Sequence, residues 1–150
     1  MLVPRPNGFY NFKTNKNKIY LQNLKQKKFF CPFPFYYVYG EEDGKYKLCS
    51  EAEETNYSYN NMTIREWFTS DYVNTIRNEM LKDDPDMSKL NSCRRCIKAE
   101  QDCGNSTRTE LLEDDDIHKP HDPRLVNAYE YEKSREFKFY NRPLSIQIRM

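Results

Sequence analysis

Long apolar runs are missing from this chain. No stretch approaches the roughly 18 consecutive apolar residues that a membrane helix needs. The richest, Phe29 to Tyr39, is short and holds Pro32 and Pro34. The N-terminus has no apolar h-region, so it does not read as a secretory signal. Hydrophobic residues overall reach only 37%, against about 45–50% in a count that includes glycine. A core must then come largely from aromatics, and 12 Tyr and 9 Phe supply them, because each buries a large area. Acidic residues are absent from positions 1–30, which carry Arg5, Lys13, Lys16, Lys18, Lys25, Lys27 and Lys28. With a net charge of +1, the remainder is net acidic. The basic stretch reads as a solvated, poorly ordered extension over 1–28. A sharper alternative is a nucleic-acid-binding arm with Phe9, Tyr10, Phe12 and Tyr20 for stacking. No internal repeat is visible.

What is present is cysteine, five residues in 150. Without a secretion signal the expected compartment is the reducing cytoplasm, where clustered cysteines read as metal ligands before disulfides. The Asn56-Tyr57-Ser58, Asn61-Met62-Thr63 and Asn105-Ser106-Thr107 triplets then read as chance in an Asn-rich chain. A metal would also help a domain with so little apolar content, since its binding free energy becomes folding free energy.

The expected fold class is small α+β: a β-hairpin and short helices around a four-cysteine metal site, with a C-terminal strand. Phe35–Tyr39 and Lys45–Ser50 are β-prone, and the segment 40–44, with Gly40 and Gly44, can turn between them. Cys31 then lies just before the first strand and Cys49 near the end of the second. Thr63 and Glu66 fit a capping box, ahead of a short helix bearing Ile64, Trp67 and Phe68. Trp67 reads as a core anchor. Ser70 can cap a second helix with Tyr72, Val73, Ile76 and Met80 on one face, ended by Asp83, Asp84, Pro85 and Asp86. Ser92 to Cys96 opens a further element, helical to Cys103 and closed by Gly104. Thr107 and Glu110 could form another capping box. Residues 113–116 are acidic without the alternating spacing of a Ca²⁺ loop. His118 and His121 sit beside prolines and read as linker residues, not ligands. Residues 125–140 suggest a short helix, and Leu144 to Met150 alternates as a strand does.

Cys93 and Cys96, two residues apart, can face one metal centre when the backbone turns tightly, and a helix N-terminus favours thiolates through its free N–H groups and dipole. Arg94 and Arg95 add positive charge. Cys31 and Cys49 complete a set of four. Cys103 lies about two helical turns, roughly 10 Å, beyond Cys96, too far for one compact site. It reads as a buried or spare thiol, with an alternative ligand as the lesser choice. Four cysteines suit either an iron–sulfur cluster or Zn²⁺, and composition does not choose between them.

The surrounding pattern narrows the choice. Cys31-x12-Gly44-x4-Cys49 followed by Cys93-x2-Cys96 resembles the auxiliary-cluster domains of radical SAM (S-adenosyl-L-methionine) enzymes known as SPASM, and their shorter form, twitch. The flanks resemble them too: the opening Phe30-Cys31-Pro32-Phe33, the segment Glu66-Trp67-Phe68-Thr69-Ser70, and Cys96-x3-Glu100-x3-Gly104-x-Ser106-x-Arg108. The likeness covers roughly residues 28–112. It implies a [4Fe–4S] cluster on Cys31, Cys49, Cys93 and Cys96, with Arg108 and Glu100 behind them. A full SPASM domain carries further cysteines; here Cys103 is off by one and none follows, which implies the one-cluster twitch form. The CxxxCxxC signature of radical SAM catalysis is absent, so this chain alone is not expected to cleave SAM. Pro143 to Arg149 resembles the first strand of a radical SAM barrel. The resulting organisation is an extension over 1–28, a cluster-binding domain over 29–112, and over 113–150 a linker and the start of a truncated or absent catalytic domain. The expected partner is a downstream or separate radical SAM domain acting on an unknown substrate, with no membrane. The alternative function is a structural four-cysteine zinc module that binds a protein or nucleic acid. A disulfide-bonded secreted domain is disfavoured by the odd cysteine count.

Overall fold

The computed structural model describes residues 23, 27–106, 108–109, 123–134 and 143–149. Apart from residue 23, the basic extension up to residue 26, the acidic stretch at 113–116, both histidines, and the Thr107 and Glu110 pair lie outside the described residues. The fold is α+β. No helix among the described residues is long and apolar enough to cross a membrane.

The expected hairpin is present but starts later than the sequence pattern suggests. Phe33–Tyr36 forms one helical turn, α1, and only Tyr37–Gly40 is strand, β1. Proline explains the difference: Pro34 stands in the first turn of α1, where its missing N–H is harmless, whereas a strand would lose a ladder bond there. β1 pairs antiparallel with β2, Tyr46–Lys47, in the register Tyr39 to Lys47 and Gly40 to Tyr46. In the turn, Gly44 takes φ +88°, a conformation open to glycine. Gly40 has a different reason to be glycine. A Cβ there would run into the Tyr59 ring, whose hydroxyl donates to Glu41 O at 2.7 Å.

The C-terminal strand is present as β3, Ser145–Ile148. It lies parallel to β1, with Val38 beside Ile146 and Gly40 beside Ile148, giving the sheet order β2-β1-β3.

Helix α2, Ile64–Phe68, begins with the expected capping box: Glu66 N–H donates to Thr63 Oγ1 and Thr63 N–H to Glu66 Oε1, both at 3.1 Å. Helix α3, Asp71–Met80, is capped by Ser70, whose Oγ accepts from Val73 N–H at 3.3 Å. Val73, Ile76 and Met80 are buried on its inner face. A 3-10 segment, Met87–Cys93, leads into α4, Arg94–Cys103, which stops at Gly104 with φ +81°. Helix α5, Pro123–Ser134, buries Ala128 and Tyr131, and Tyr131 packs edge-on against Phe35 of α1 at 5.7 Å.

Aromatics build the core, as the composition requires. Trp67 is 1% exposed and stacks on Tyr46 at 5.4 Å and on Tyr72 at 5.5 Å. Tyr57 tilts against both Trp67 and Tyr72.

Two charged residues of α3 are also buried, which periodicity did not reveal. Arg77 is fully enclosed. Its Nε donates to Pro34 O and its Nη1 to Asn74 Oδ1, both at 2.7 Å, and its guanidinium lies 4.4 Å from the centre of the Phe68 ring. The Glu79 side chain is 3% exposed and accepts from Lys82 Nζ at 2.6 Å and from Asp86 N–H at 2.9 Å. Lys89 lies 3.5 Å away. The bonds from Lys82 and from Asp86 N–H hold the Glu79 carboxyl below the usual carboxylate range, against the opposing effect of burial. A carboxylate with a lowered folded-state pKa stabilises the fold above its unfolded value of about 4.3 and stops doing so as pH falls through the lower folded value. Urea midpoints measured from neutral pH downward should therefore drop below about pH 5 in the native protein. Glu79→Gln should be less stable at neutral pH and show a smaller acid decline. An identical acid decline in both proteins would exclude Glu79 as its source.

At its other end α3 binds the last residues of the basic stretch. Lys27 Nζ donates to Leu81 O at 2.6 Å and pairs with Asp83 at 3.2 Å, and Lys28 pairs with Asp84 at 3.5 Å. A cation beside the carbonyls that end a helix is favourable.

Candidate metal centre

Three separate pieces of backbone bring the candidate ligands together. Cys31 immediately precedes the Pro32 turn into α1. Cys49 lies just after β2 and starts a turn closed by Ala52 N–H donating to Cys49 O at 3.1 Å. Cys93 occupies the N-cap position of α4, and Cys96 lies in its first turn. The start of α4 is fastened to the rest of the domain on both sides. Ser92 O accepts from Glu53 N–H at 2.9 Å, and Ser92 Oγ meets Tyr72 Oη at 2.5 Å. Arg94 pairs with Glu53 through Nε at 2.7 Å.

Cys31, Cys49, Cys93 and Cys96 all line one small cavity. Phe29, Phe33, Leu48 and Met80 form its apolar wall, and Glu51 and Arg108 bring charge to it. Cys31 is buried and the other three are half-buried. No disulfide forms, and Cys103 is exposed on the last turn of α4, outside the cavity. It is therefore not the buried thiol that the sequence allowed. Among the described residues, no group of three or more His, Cys, Asp and Glu side chains closes on a point as it would around a metal ion.

The thiols act on one another. Burial pushes Cys31 well above the ordinary thiol value, with Cys93 the next cause and Cys49 and Cys96 adding to it. Burial likewise raises Cys93, then Cys49 and Cys96, while Arg108 pulls it back. Cys49 and Cys96 are raised chiefly by burial. Every pair among the four is thus coupled: a thiolate at any one disfavours thiolates at the others. In the metal-free chain all four keep their protons at neutral pH. A bound cation changes that balance, because it takes up the charge that burial penalises.

Several donors already act on the sulfurs. The backbone N–H groups of Phe33, Glu51 and Arg108 pull Cys31, Cys49 and Cys96 respectively down, against the larger effect of burial. Such bonds favour the charged form of the acceptor. Arg108 and Glu100, named from the sequence, form a pair at the cavity edge. Glu51 and Phe29 were not singled out from the sequence, and Met80 was read only as part of the apolar stripe of α3. For Met80 a signal existed, since it ends the apolar stripe of α3 and so had to face inward.

Against known proteins, the chain matches no family model, no curated protein and no solved structure.

Proposed function

We propose that Cys31, Cys49, Cys93 and Cys96 hold a [4Fe–4S] cluster and that this chain is the auxiliary cluster-bearing part of a radical SAM-type enzyme. The observation that supports the cluster is the shared cavity: four thiols from three separate chain segments line one space, and nearby backbone N–H groups favour the charged form of three of them. Thiolates are the ligands that iron–sulfur clusters take. The radical SAM part of the reading rests on the motif resemblance alone.

When bound, a cluster of this kind supplies one-electron redox chemistry or a contact for substrate. The chain's own residues hold it by four thiolates, shield it with Phe29, Phe33, Leu48 and Met80, and offset its charge with Arg108. SAM enters only with a further catalytic domain that provides CxxxCxxC. The proposed setting is the cytoplasm.

Protein purified anaerobically should be brown, with broad absorption near ~400 nm from sulfide-to-iron charge transfer. A colourless protein holding one equivalent of zinc after anaerobic reconstitution with iron and sulfide would overturn the cluster and establish the structural zinc module in its place.

A further inference from the structure

Arg108 is the cation lining the cavity, and its position is tightly specified. It is 9% exposed. Nη1 donates to Phe30 O at 3.0 Å, one residue before Cys31. Nε donates to Glu100 Oε2 at 3.0 Å, and Nη2 makes a second, closer contact with Glu100 Oε1. The guanidinium lies 4.8 Å from the centre of the Phe29 ring. Ser106 Oγ donates to Glu100 Oε2 at 3.1 Å, fixing the carboxylate in turn. Charge held this rigidly beside four thiolates does more than close a gap between α4 and the Cys31 segment. The guanidinium lines the space where an electron would arrive, its Glu100 partner sits behind it and is largely shielded from water, and shielded charges act strongly on such a site.

We propose that Arg108 sets the reduction potential of the cluster held by the four cysteines, with Glu100 as its counterweight. The inference rests on the cluster reading above. One electron from a low-potential donor such as dithionite makes the site one charge more negative, with no bond formed or broken. The fixed guanidinium favours the reduced state and the carboxylate disfavours it. Arg108 is here a charge-compensating residue, not a catalytic one.

The test is a dye-mediated dithionite titration of the full chain after anaerobic reconstitution, with the reduced cluster read by EPR and iron and sulfide assayed in each sample. Arg108→Gln should shift the midpoint to more negative potential. Arg108→Lys, which keeps the charge, should recover most of that shift. Glu100→Gln should move the midpoint the opposite way, to more positive potential. A merely structural ion pair predicts no such opposition. Midpoints that stay put, or that move in the same direction in Arg108→Gln and Glu100→Gln, overturn the proposal while leaving the cluster intact. If Arg108→Gln fails to load, the sign of the Glu100→Gln shift decides alone. Native protein that takes up no iron and sulfide overturns the cluster reading and this proposal together.

Discussion

On the proposed cluster reading, replacement of Cys31 by Ala is expected to abolish metal retention and broaden the unfolding transition, whereas replacement of Cys103 by Ala should change neither. Cys31 is the most deeply buried of the four cavity cysteines and enters the site from the segment that also carries Phe29 and Phe30 into the core. A metal held by four thiolates contributes its binding free energy to folding, on the order of 10 kcal/mol for structural sites. That exceeds or equals the whole stability of many domains, about 5–15 kcal/mol. Loss of one ligand should therefore reduce iron content to background and leave a chain that unfolds at much lower temperature. Cys49→Ala, Cys93→Ala and Cys96→Ala should behave likewise. Cys103 is exposed and does not line the cavity, so its removal should cost neither metal nor packing. Iron assay and calorimetry on the five single variants give the answer. Retention of iron by Cys49→Ala together with its loss from Cys103→Ala would show that the ligand set is misassigned.

The second large effect concerns Arg77. Its guanidinium ties α3 to the carbonyl of Pro34 and so fixes α1, the turn that follows Cys31. Burial lowers its pKa to about 9, which leaves it charged at neutral pH but marks how unfavourable its surroundings are for charge. Arg77→Ala leaves a void under the Phe68 ring and an acceptor at Pro34 without its donor, a combination expected to cost about 3–5 kcal/mol. Arg77→Met keeps most of the volume and removes the charge. Replacing a buried charge by a well-packed apolar group is often close to neutral, so Met should cost far less than Ala. Trp67 is the single tryptophan and is buried in the same core, so urea unfolding followed by its fluorescence reports on both variants. Equal losses for Ala and Met would show that the hydrogen bonds, and not the filled volume, carry the effect.

Features governed by neighbouring residues were readable before any coordinates. The Thr63–Glu66 capping box, the Ser70 cap, the stop at Gly104 and the inward face of α3 each depend on contacts within one turn of helix, where sequence spacing is spatial spacing. The cavity cysteines were readable for another reason: their clustered spacing pointed to one shared site, and all four line one cavity. The exposed position of Cys103 depended on which way α4 turns, which spacing does not fix. Arg77 and Glu79 were missed because a charged residue is ordinarily solvated. Arg77 follows Val73 by one turn of helix and shares its buried face, but only the tertiary partners Pro34 and Phe68 show how that is tolerated. Phe35 and Tyr36 were read as the start of a strand because aromatic residues favour strands, while Pro32 at the N-cap and Pro34 in the first turn favour the one-turn helix Phe33–Tyr36 that contains them. The parallel pairing of β1 with β3 involves positions too remote for any local pattern to encode.

That pairing orders events in time as well as space. Tyr37 and Gln147 are 110 positions apart, yet the Tyr37 hydroxyl donates to Gln147 Oε1 at 2.6 Å. Contacts of such separation are intrinsically late, because the chain between them must be gathered before they can form. The four cavity thiols, by contrast, all lie within residues 31–96. On a chain synthesised from its N-terminus, every one of these thiols emerges while β3 is still to be made. The thiols and the β1–β2 hairpin can therefore come together first, leaving one side of β1 open until the last strand closes it.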